Sequence, residues 1–322
     1  MNSEGKQIRN GKAFEYAIAT QYYTYLLDRG CKVGIIENNA ISIARKYFED
    51  FTEQEQNKFN RAAYNTIDTM VKIEPGLTVQ KNDKDILYIS LNEDQVGEDG
   101  DVRDVIFQRA KSSWEIGFSA KNNNDAVKHS RLARKLDFGE VWFGVPCSEN
   151  YWIDIKPIFD YLEEYTKKKY KWNDLKQDKR DKVYVPLLNA FKKELLNING
   201  NHSNIPERLV EYLIGKHPFY KIIKDDSHNL VIVKAFNIKG DLNKPYNKVK
   251  SAYSIPTINL PKRIVEFEFK ENSETTLNMI LDGGWEISFR LHNASSNVEC
   301  SLKFDIKLLG NPPILFTQHI FQ

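Results

Sequence analysis

The chain has few cysteines, and those it has form no recognised pattern. Three occur in 322 residues, Cys31, Cys147 and Cys300, and none belongs to a CxxC pair or a Cys/His ligand spacing. An odd number of widely spaced cysteines favours neither a disulfide framework nor a zinc site. We therefore expect a protein of a reducing compartment, the cytoplasm.

Long hydrophobic runs and a strong net charge are also missing. No stretch approaches the ~18 uninterrupted apolar residues of a membrane span, and the first residues, MNSEGKQIRNGK, lack the apolar part of a signal peptide. We expect no membrane association. The 46 basic and 44 acidic residues leave a formal net charge of +2, so binding to a polyanion would require local clusters of Lys and Arg.

The composition is that of a folded chain with more than one core. With 41% hydrophobic and 28% charged residues, the sequence supports a sizeable core and argues against disorder. A length of 322 residues exceeds what one ordinary core needs. Changes of pattern along the chain predict a catalytic core at 1–154, a mainly helical lobe at 155–216 and a β-rich part at 217–322.

Hydrophobic periodicity predicts two helical regions followed by strands. The first helix is expected over 11–28, and the second region, 39–71, is expected to break near Thr52. A helix over 126–136 is also expected, because Asn122-Asn123-Asn124-Asp125 offers N-cap residues before it. Strands are expected at 85–91, 102–107, 114–121, 140–145, 230–236, 264–270, 285–291 and 298–306.

Opposite charges are concentrated in two adjoining segments. Residues 84–104 hold seven acids against two bases, and residues 109–135 hold seven bases against two acids. Cleavage of a phosphodiester needs this juxtaposition, because carboxylates hold Mg²⁺ while Lys and Arg grip the phosphates. The alternative is that both segments are ordinary solvated loops.

The strands at 102–107 and 114–121 are predicted to form a hairpin that turns near Lys111-Ser112. Residues whose numbers sum to about 223 then face each other, so Asp104 lies opposite Ser119 and shares a sheet face with Lys121. A carboxylate that binds metal would then stand beside an ammonium that orients or deprotonates the attacking water. A lysine at a strand end also reaches solvent without a catalytic role, so both interpretations stay open.

The two faces of the second strand are predicted to differ in function. On the site face, the small residues Gly117 and Ser119 leave room for a ligand or a metal. The opposite face is apolar enough to belong to the core and consists of Trp114, Ile116, Phe118 and Ala120.

Three segments share one resemblance. The stretch GEDGDVRDVIFQRAKSSWEIGFSAKNNNDAVKHSRL at 97–132, GKAFEYA at 11–17 and the block at 284–305 resemble the HaeIII-type restriction endonucleases. These are a type II family of the PD-(D/E)XK nuclease superfamily. The resemblance implies an α/β fold with the PD-(D/E)XK core, a mixed central sheet flanked by helices, joined here to a helical lobe and a β-rich C-terminal part.

The resemblance also implies an activity. It implies Mg²⁺-dependent cleavage of both strands of duplex DNA at a short GC-rich palindrome, with GGCC as the candidate, in the cytoplasm of a bacterium. A cognate DNA methyltransferase is implied as a functional partner, because unprotected host DNA would be cut. Alternatives are a nicking or repair nuclease of the same fold and a catalytically silent DNA-binding protein. Whether one chain or two engage the palindrome stays open.

Residue by residue, the resemblance gives Asp104 the superfamily's Asp position and Lys121 its Lys position. The acid expected two residues before the lysine is Ser119 here, so a metal ligand is missing from its usual place. Asp101, three residues before Asp104, and Glu15, on the first helix, are the candidates to replace it.

Glu115 shares a strand face with Lys121 and is a further catalytic candidate. Six residues separate the two, which is ~20 Å at ~3.3 Å per residue. We therefore expect a supporting role for Glu115 rather than direct metal binding.

Candidate DNA contacts occupy two segments. They are Lys128, His129, Arg131 and Lys135 in the first segment, and Arg290, His292 and Asn293 in the second. Lys128, Arg131 and Lys135 recur at helical spacing, so one stripe of the predicted helix would lie along a phosphate backbone. The second group has the donors that read base edges or contact phosphates. A solvated basic face and ordinary turns are the alternatives.

Overall fold

The computed structural model describes residues 3–93, 100–125, 127–128 and 130–322. The helices are α1 (Ser3–Asp28), α2 (Asn39–Glu49), α3 (Glu53–Ile73), α4 (Phe138–Phe143), α5 (Glu149–Lys167), α6 (Val185–Asn201) and α7 (Ile205–Ile214). The strands are β1 (Val33–Ile35), β2 (Leu87–Leu91), β3 (Val105–Arg109), β4 (Trp114–Asn122), β5 (Ser130–Ala133), β6 (Phe219–Asp225), β7 (Leu230–Phe236), β8 (Ile264–Phe269), β9 (Thr276–Leu281), β10 (Glu286–His292), β11 (Ser301–Gly310) and β12 (Thr317–Phe321).

The chain forms two compact units, and both are discontinuous in sequence. The first unit consists of Met1–Asp125, Gly215–Ile258 and Ile314–Gln322, and the second of Ala126–Ile214 and Asn259–Pro313. The functional division expected from the sequence, with boundaries after residues 154 and 216, stays a prediction.

The first unit is built on a mixed sheet with the strand order β1-β2-β3-β4-β6-β7-β12. The β1/β2 and β4/β6 pairs run parallel and the other neighbours antiparallel. Helix α1 packs on this sheet through its buried residues, among them Phe14, Ile18 and Tyr22. The Tyr22 ring lies 5.1 Å from that of Phe107 and 5.4 Å from that of Phe118. The apolar stripe of the predicted first helix is confirmed as a core face.

Local capping explains the two helices that follow α1. Asn38 caps α2 by accepting a hydrogen bond from the Ile41 N–H, and Thr52 forms a reciprocal capping box with Glu55 at the start of α3. The predicted break near Thr52 is confirmed, because the chain leaves helical geometry there to form the cap.

The second unit contains an antiparallel sheet with the strand order β5-β11-β10-β9-β8 and the helices α4 to α7. Its core is aromatic: the Phe191 ring of α6 lies 5.0 Å from Phe304 and 5.6 Å from Phe289. The predicted helical content after residue 155 and the predicted strands after residue 216 are confirmed. No helix in the described part of the chain combines the length and apolarity of a membrane-spanning segment.

Two predicted elements were wrong. The helix expected over 126–136 is replaced by β5, and the strand expected over 140–145 is replaced by helix α4. β5 forms because its residues pair with β11, with Leu302 opposite Leu132, a distant partner that local propensity does not reveal. Helix α4 is capped at both ends, by the Asp137 side chain and by Gly144 in the left-handed region.

The Asn-rich segment after β4 does not cap a helix. The Asn123 side chain instead donates to Asp226 Oδ2 and accepts from the Asp226 backbone N–H, both at 2.8 Å. The Asn123 N–H also donates to the Lys224 carbonyl at 2.7 Å. These bonds hold the segment beside the end of β6.

Glu74 is a buried acid whose charge the fold does not balance. The Tyr220 hydroxyl and the Asn243 N–H donate to its Oε1 at 2.5 and 2.6 Å, while Oε2 has no hydrogen-bond partner among the described residues. Burial raises the pKa of Glu74 from its usual 4.5 to about 7. The folded state therefore keeps a proton that the unfolded chain loses at lower pH.

We expect Glu74→Gln to reduce the pH dependence of stability. A raised folded-state pKa stabilises the fold fully below the unfolded value, and that stability is lost as the pH rises through about 7. Between about pH 5 and about pH 8, the urea-unfolding free energy of the wild type should fall by on the order of 2 kcal/mol more than that of the variant. Glu49→Gln, at an exposed carboxylate, is the control, and equal pH profiles for the wild type and Glu74→Gln would contradict this assignment.

Candidate active site

The predicted hairpin is confirmed, and so is its register. β3 and β4 pair antiparallel with Val105 opposite Phe118, and the Asp104 N–H extends the ladder by donating to the Phe118 carbonyl at 2.7 Å. The chain turns through a 3₁₀ segment at Ala110–Ser112 and then through Ser113 at φ 53°, in the left-handed region. Asp104 is thereby placed beside the C-terminal half of β4.

Asp104 binds three groups of β4 through one carboxylate oxygen. Its Oδ2 accepts hydrogen bonds from the Ala120 N–H at 2.7 Å and the Ser119 hydroxyl at 3.3 Å, and lies 3.4 Å from Lys121 Nζ. Oδ1 receives none of these three bonds. Asp104 and Lys121 are both about a quarter exposed, so a phosphate can reach them.

One of the two faces of β4 is as predicted. Ile116, Phe118 and Ala120 are buried in the core, with the Phe118 ring 4.7 Å from that of Phe107. On the other face, the expected room beside Gly117 is filled, since a Cβ at that position would overlap the Cδ of Arg103. Gly117 is therefore small because Arg103 crosses the strand there, and the expectation of a ligand space at Gly117 was wrong.

Arg103 engages two of the candidate acids. Its Nε and Nη2 donate to the two carboxylate oxygens of Asp101 at 2.8 and 2.7 Å, and its Nη1 donates to Glu115 Oε1 at 2.7 Å. Desolvation would raise the pKa of Asp101, but the hydrogen bonds and charge of Arg103 outweigh it and hold that pKa below its usual value. Both acids are thus partners of one guanidinium, and no contact described in the structure joins either of them to Asp104.

Glu15 is a candidate acid on which the charges of Asp104 and Lys121 both act. Its side chain on α1 is 5% exposed, and Oε2 accepts a hydrogen bond from Lys12 Nζ at 3.1 Å. Burial, with a further contribution from the charge of Asp104, raises the pKa of Glu15 to about 7, while Lys12 and Lys121 oppose the rise. The charges of Asp104 and Lys121 thus act on Glu15, whose role as a metal ligand stays a prediction.

A buried lysine cluster adjoins the site on the next strands. The register places Lys221 of β6 beside Ser119, and Lys234 of β7 beside Lys221. Asp125, four residues after Lys121, binds both: it forms an ion pair with Lys221, and Lys234 Nζ donates to its Oδ2 at 2.5 Å. Lys221 is 3% exposed, and burial lowers its pKa to about 8, although Asp125 opposes the shift.

The candidate DNA-binding residues of the first segment do not form a helical stripe. Arg131 lies on β5, is exposed and reaches Ser301, and Lys135 is exposed in the turn that follows. The Lys128 ammonium lies 4.6 Å from the centre of the Tyr212 ring. His129 lies outside the described residues. The helical arrangement was wrong because residues 130–133 form a strand.

The candidates of the C-terminal block have different surroundings. Arg290 is exposed on β10 and lies 3.1 Å from Asp305, and His292 Nδ1 lies 3.0 Å from the Asn293 carbonyl. The Asn293 side chain accepts from Lys179 at 3.0 Å and donates to the Ser295 carbonyl at 2.6 Å. Asn293 therefore holds a turn, whereas Arg290 presents its guanidinium to solvent.

The donors near Asp104 suit a hard divalent cation. Mg²⁺ is bound in proteins through one or two carboxylates, with water and substrate phosphates completing its shell. Asp104 and Glu15 are the two carboxylates expected to take this part, and the Ser119 hydroxyl is a neutral oxygen 3.3 Å from Asp104 Oδ2. Over the described ranges, no group of three or more His, Cys, Asp or Glu residues forms a metal cluster, so these residues provide only part of a coordination shell.

Sequence reasoning missed three residues that shape the site. Arg103 was visible as the base between two acids in Asp101-Val102-Arg103-Asp104, a local pattern that favours ion pairs. Asp125 and Lys221 gave no such signal, because only the parallel pairing of β4 with β6 brings them together. The register of a hairpin can be predicted from the spacing of residues around its turn. The order of strands that lie far apart in the sequence cannot be predicted in this way.

Comparison with known proteins supports the family resemblance over nearly the whole chain. The family described as HaeIII restriction endonuclease matches residues 11–312. The type II restriction enzyme HaeIII of Haemophilus aegyptius is 41% identical over 304 residues, which covers 94% of this chain and 94% of that protein. No solved structure matches. The matched region includes α1 from Gly11 onward, the hairpin and the strands β8 to β11.

We expect Asp125→Ala to destabilise the fold. The substitution leaves the buried Lys221 and the half-buried Lys234 without their shared counter-ion, which costs roughly 3 kcal/mol. Asp83→Ala is the control, because it breaks an exposed pair with Lys32 whose loss costs less than about 1 kcal/mol. Urea unfolding measures both, and equal losses in the two variants would show that the lysine cluster does not depend on Asp125.

Proposed function

The chain belongs to the HaeIII restriction endonuclease family and is a type II restriction endonuclease, and we propose that it cuts both DNA strands with Mg²⁺ at GGCC. The observation that carries the mechanism is the 3.4 Å approach of Lys121 Nζ to Asp104 Oδ2 on neighbouring strands. The resemblance in sequence gives this pair the Asp and Lys positions of the PD-(D/E)XK superfamily. We accordingly assign the first unit's sheet and α1 to that core.

Asp104 and Glu15 are proposed to hold the cation. The charge of Asp104 contributes to the raised pKa of Glu15, and in this proposal Glu15 replaces the acid that is absent at position 119. When bound there, Mg²⁺ would neutralise charge that develops on the phosphate oxygens and the leaving oxygen. Asp101, proposed from the sequence as a ligand, is supported less well, since both its oxygens accept bonds from Arg103.

Lys121 is proposed to position the attacking water. Its ammonium, held beside Asp104 by attraction to the carboxylate, can donate a hydrogen bond to water placed for in-line attack on phosphorus. Cleavage by this route leaves a 5′-phosphate and a 3′-hydroxyl. Glu115 supports the site by holding Arg103 rather than by touching the reacting atoms.

The proposed setting is a restriction-modification system of the bacterial cytoplasm. The DNA-binding candidates Lys128, Arg131, Lys135, Arg290 and His292 would contact the duplex in this proposal. A cognate methyltransferase would protect the host's own sites. Ser119, which stands where an acid is expected, is the only described feature of the site that favours a catalytically silent DNA-binding protein. No contact described in the site favours a nicking or repair nuclease.

The proposal predicts a fixed banding pattern. Incubation of the full chain with phage DNA and Mg²⁺ should give discrete fragments whose ends lie at GGCC sites. Chelation of the metal should prevent this cleavage. Nicks at lesions would identify a repair nuclease. Retarded but uncut DNA in every divalent metal tested would identify a binding protein and refute the endonuclease mechanism.

Lys121→Ala should separate binding from cleavage. We expect duplex binding within a few fold of the wild type and cleavage reduced at least ~100-fold, the usual effect of removing a positioned proton donor or acceptor. Lys111→Ala, in the turn of the same hairpin, is the matched control and should cut normally. Normal cleavage by Lys121→Ala, followed on supercoiled plasmid, would remove Lys121 from the mechanism.

A further inference from the structure

The sheet of the second unit has two unlike faces. Along β11, Leu302, Phe304 and Ile306 are buried in the aromatic core described above. Lys303 and Lys307 alternate with them and therefore project from the opposite side. That side is at least partly exposed.

Strand pairing aligns three donor side chains on the outer side. Lys303 of β11 pairs with Arg131 of β5 on one side and with His292 of β10 on the other. Directly opposed residues share a sheet face, and neighbouring strands lie ~4.8 Å apart, so these three form one row ~10 Å long. In the two following rows, Arg290 pairs with Asp305 and Ser288 with Lys307. We call the outer side of β5, β11 and β10 the basic face.

Cations outnumber acids on the basic face. Arg131, Lys303, Arg290 and Lys307 stand against Asp305, which pairs with Arg290, and Glu286 at the far end of β10. Arg290 remains 57% exposed despite that pair. Other acids of the same sheet, Glu266 and Glu268, lie on β8 at the opposite edge. The charge is therefore divided across the sheet, although the whole chain is nearly neutral.

The composition of this face favours a polyanion over a protein partner. Its central rows contain charged, imidazole and hydroxyl side chains and no Phe, Tyr or Trp, whereas protein interfaces usually have large aromatic or aliphatic anchors at their centre. Long cationic side chains spaced along a strand are suited to a backbone of repeated phosphates, which contributes most of the affinity in DNA complexes.

We propose that the basic face binds the phosphate backbone of duplex DNA, with Lys303 at the centre of the contact. The inference rests on the proposed function for the identity of the duplex as substrate. It adds Lys303 and Lys307 to the candidate DNA contacts and gives Arg131, Arg290 and His292 a common surface. A phosphate contact of this kind strengthens binding to any sequence and selects none.

The test is the salt dependence of DNA binding by a double variant. Lys303→Gln with Lys307→Gln removes two charges but keeps the aliphatic stems, and should weaken binding to cognate and unrelated duplexes alike, by roughly tenfold. The slope of log K against log salt should decrease in magnitude by about 2. The control removes the same number of charges from α5, as Lys156→Gln with Lys167→Gln, and should leave the slope unchanged. Thermal unfolding checks that all variants are folded.

The outcomes are distinguishable from those that test the endonuclease. An unchanged slope in the Lys303 and Lys307 variant, with normal cutting at discrete sites, would overturn the basic face and leave the proposed function intact. A reduced slope in a chain that never cuts would support the basic face and refute the nuclease mechanism. Poly-glutamate is the second probe: if the variant loses affinity for it but keeps the wild-type DNA slope, the face binds an acidic protein and the proposal is wrong.

Discussion

The pairing of β3 with β4 in a single register is the constraint on which both the core and the site depend. Because side chains alternate with period two, a slip of one residue would turn Phe118 out of the core and Ser119 into it. The same slip would separate Asp104 from the β4 groups that bind its carboxylate. Hydrophobic burial thus selects the register, and the register positions the chemistry.

Basic side chains surround a small number of carboxylates at this site, and most of the acids have a fixed partner. Arg103 binds Asp101 and Glu115, and Asp125 is shared by the buried Lys221 and the half-buried Lys234. Asp104 pairs with Lys121 and Glu15 with Lys12, and these two acids are the ones proposed to hold the cation. A buried charge is costly unless it is paired, so these ion pairs determine which acids remain for a cation.

Sequence reasoning succeeded where the relevant contacts are local and failed where they are not. Alternation around the turn at Lys111 predicted the hairpin, its register and the approach of Asp104 to Lys121. The same reasoning made residues 126–136 a helix, because the strand partner of β5 is β11 and lies far along the chain. Glu15 came from a resemblance, and its proximity to Asp104 depends on how α1 packs on the sheet. The family resemblance is confirmed, while the individual roles stay proposals.

The parallel pairing of β4 with β6 has a consequence for the order in which the protein becomes functional. The ribosome releases the hairpin well before residues 219–225, which form the adjacent strand and supply Lys221. Until then, Asp125 has neither of its lysine partners, and β4 is an uncovered sheet edge. Contacts between residues so distant in sequence form slowly, since much chain must be ordered first. A nascent or truncated chain would contain Asp104 and Lys121 without the completed sheet, so host DNA would meet a competent enzyme only after β6 has been synthesised and has paired with β4.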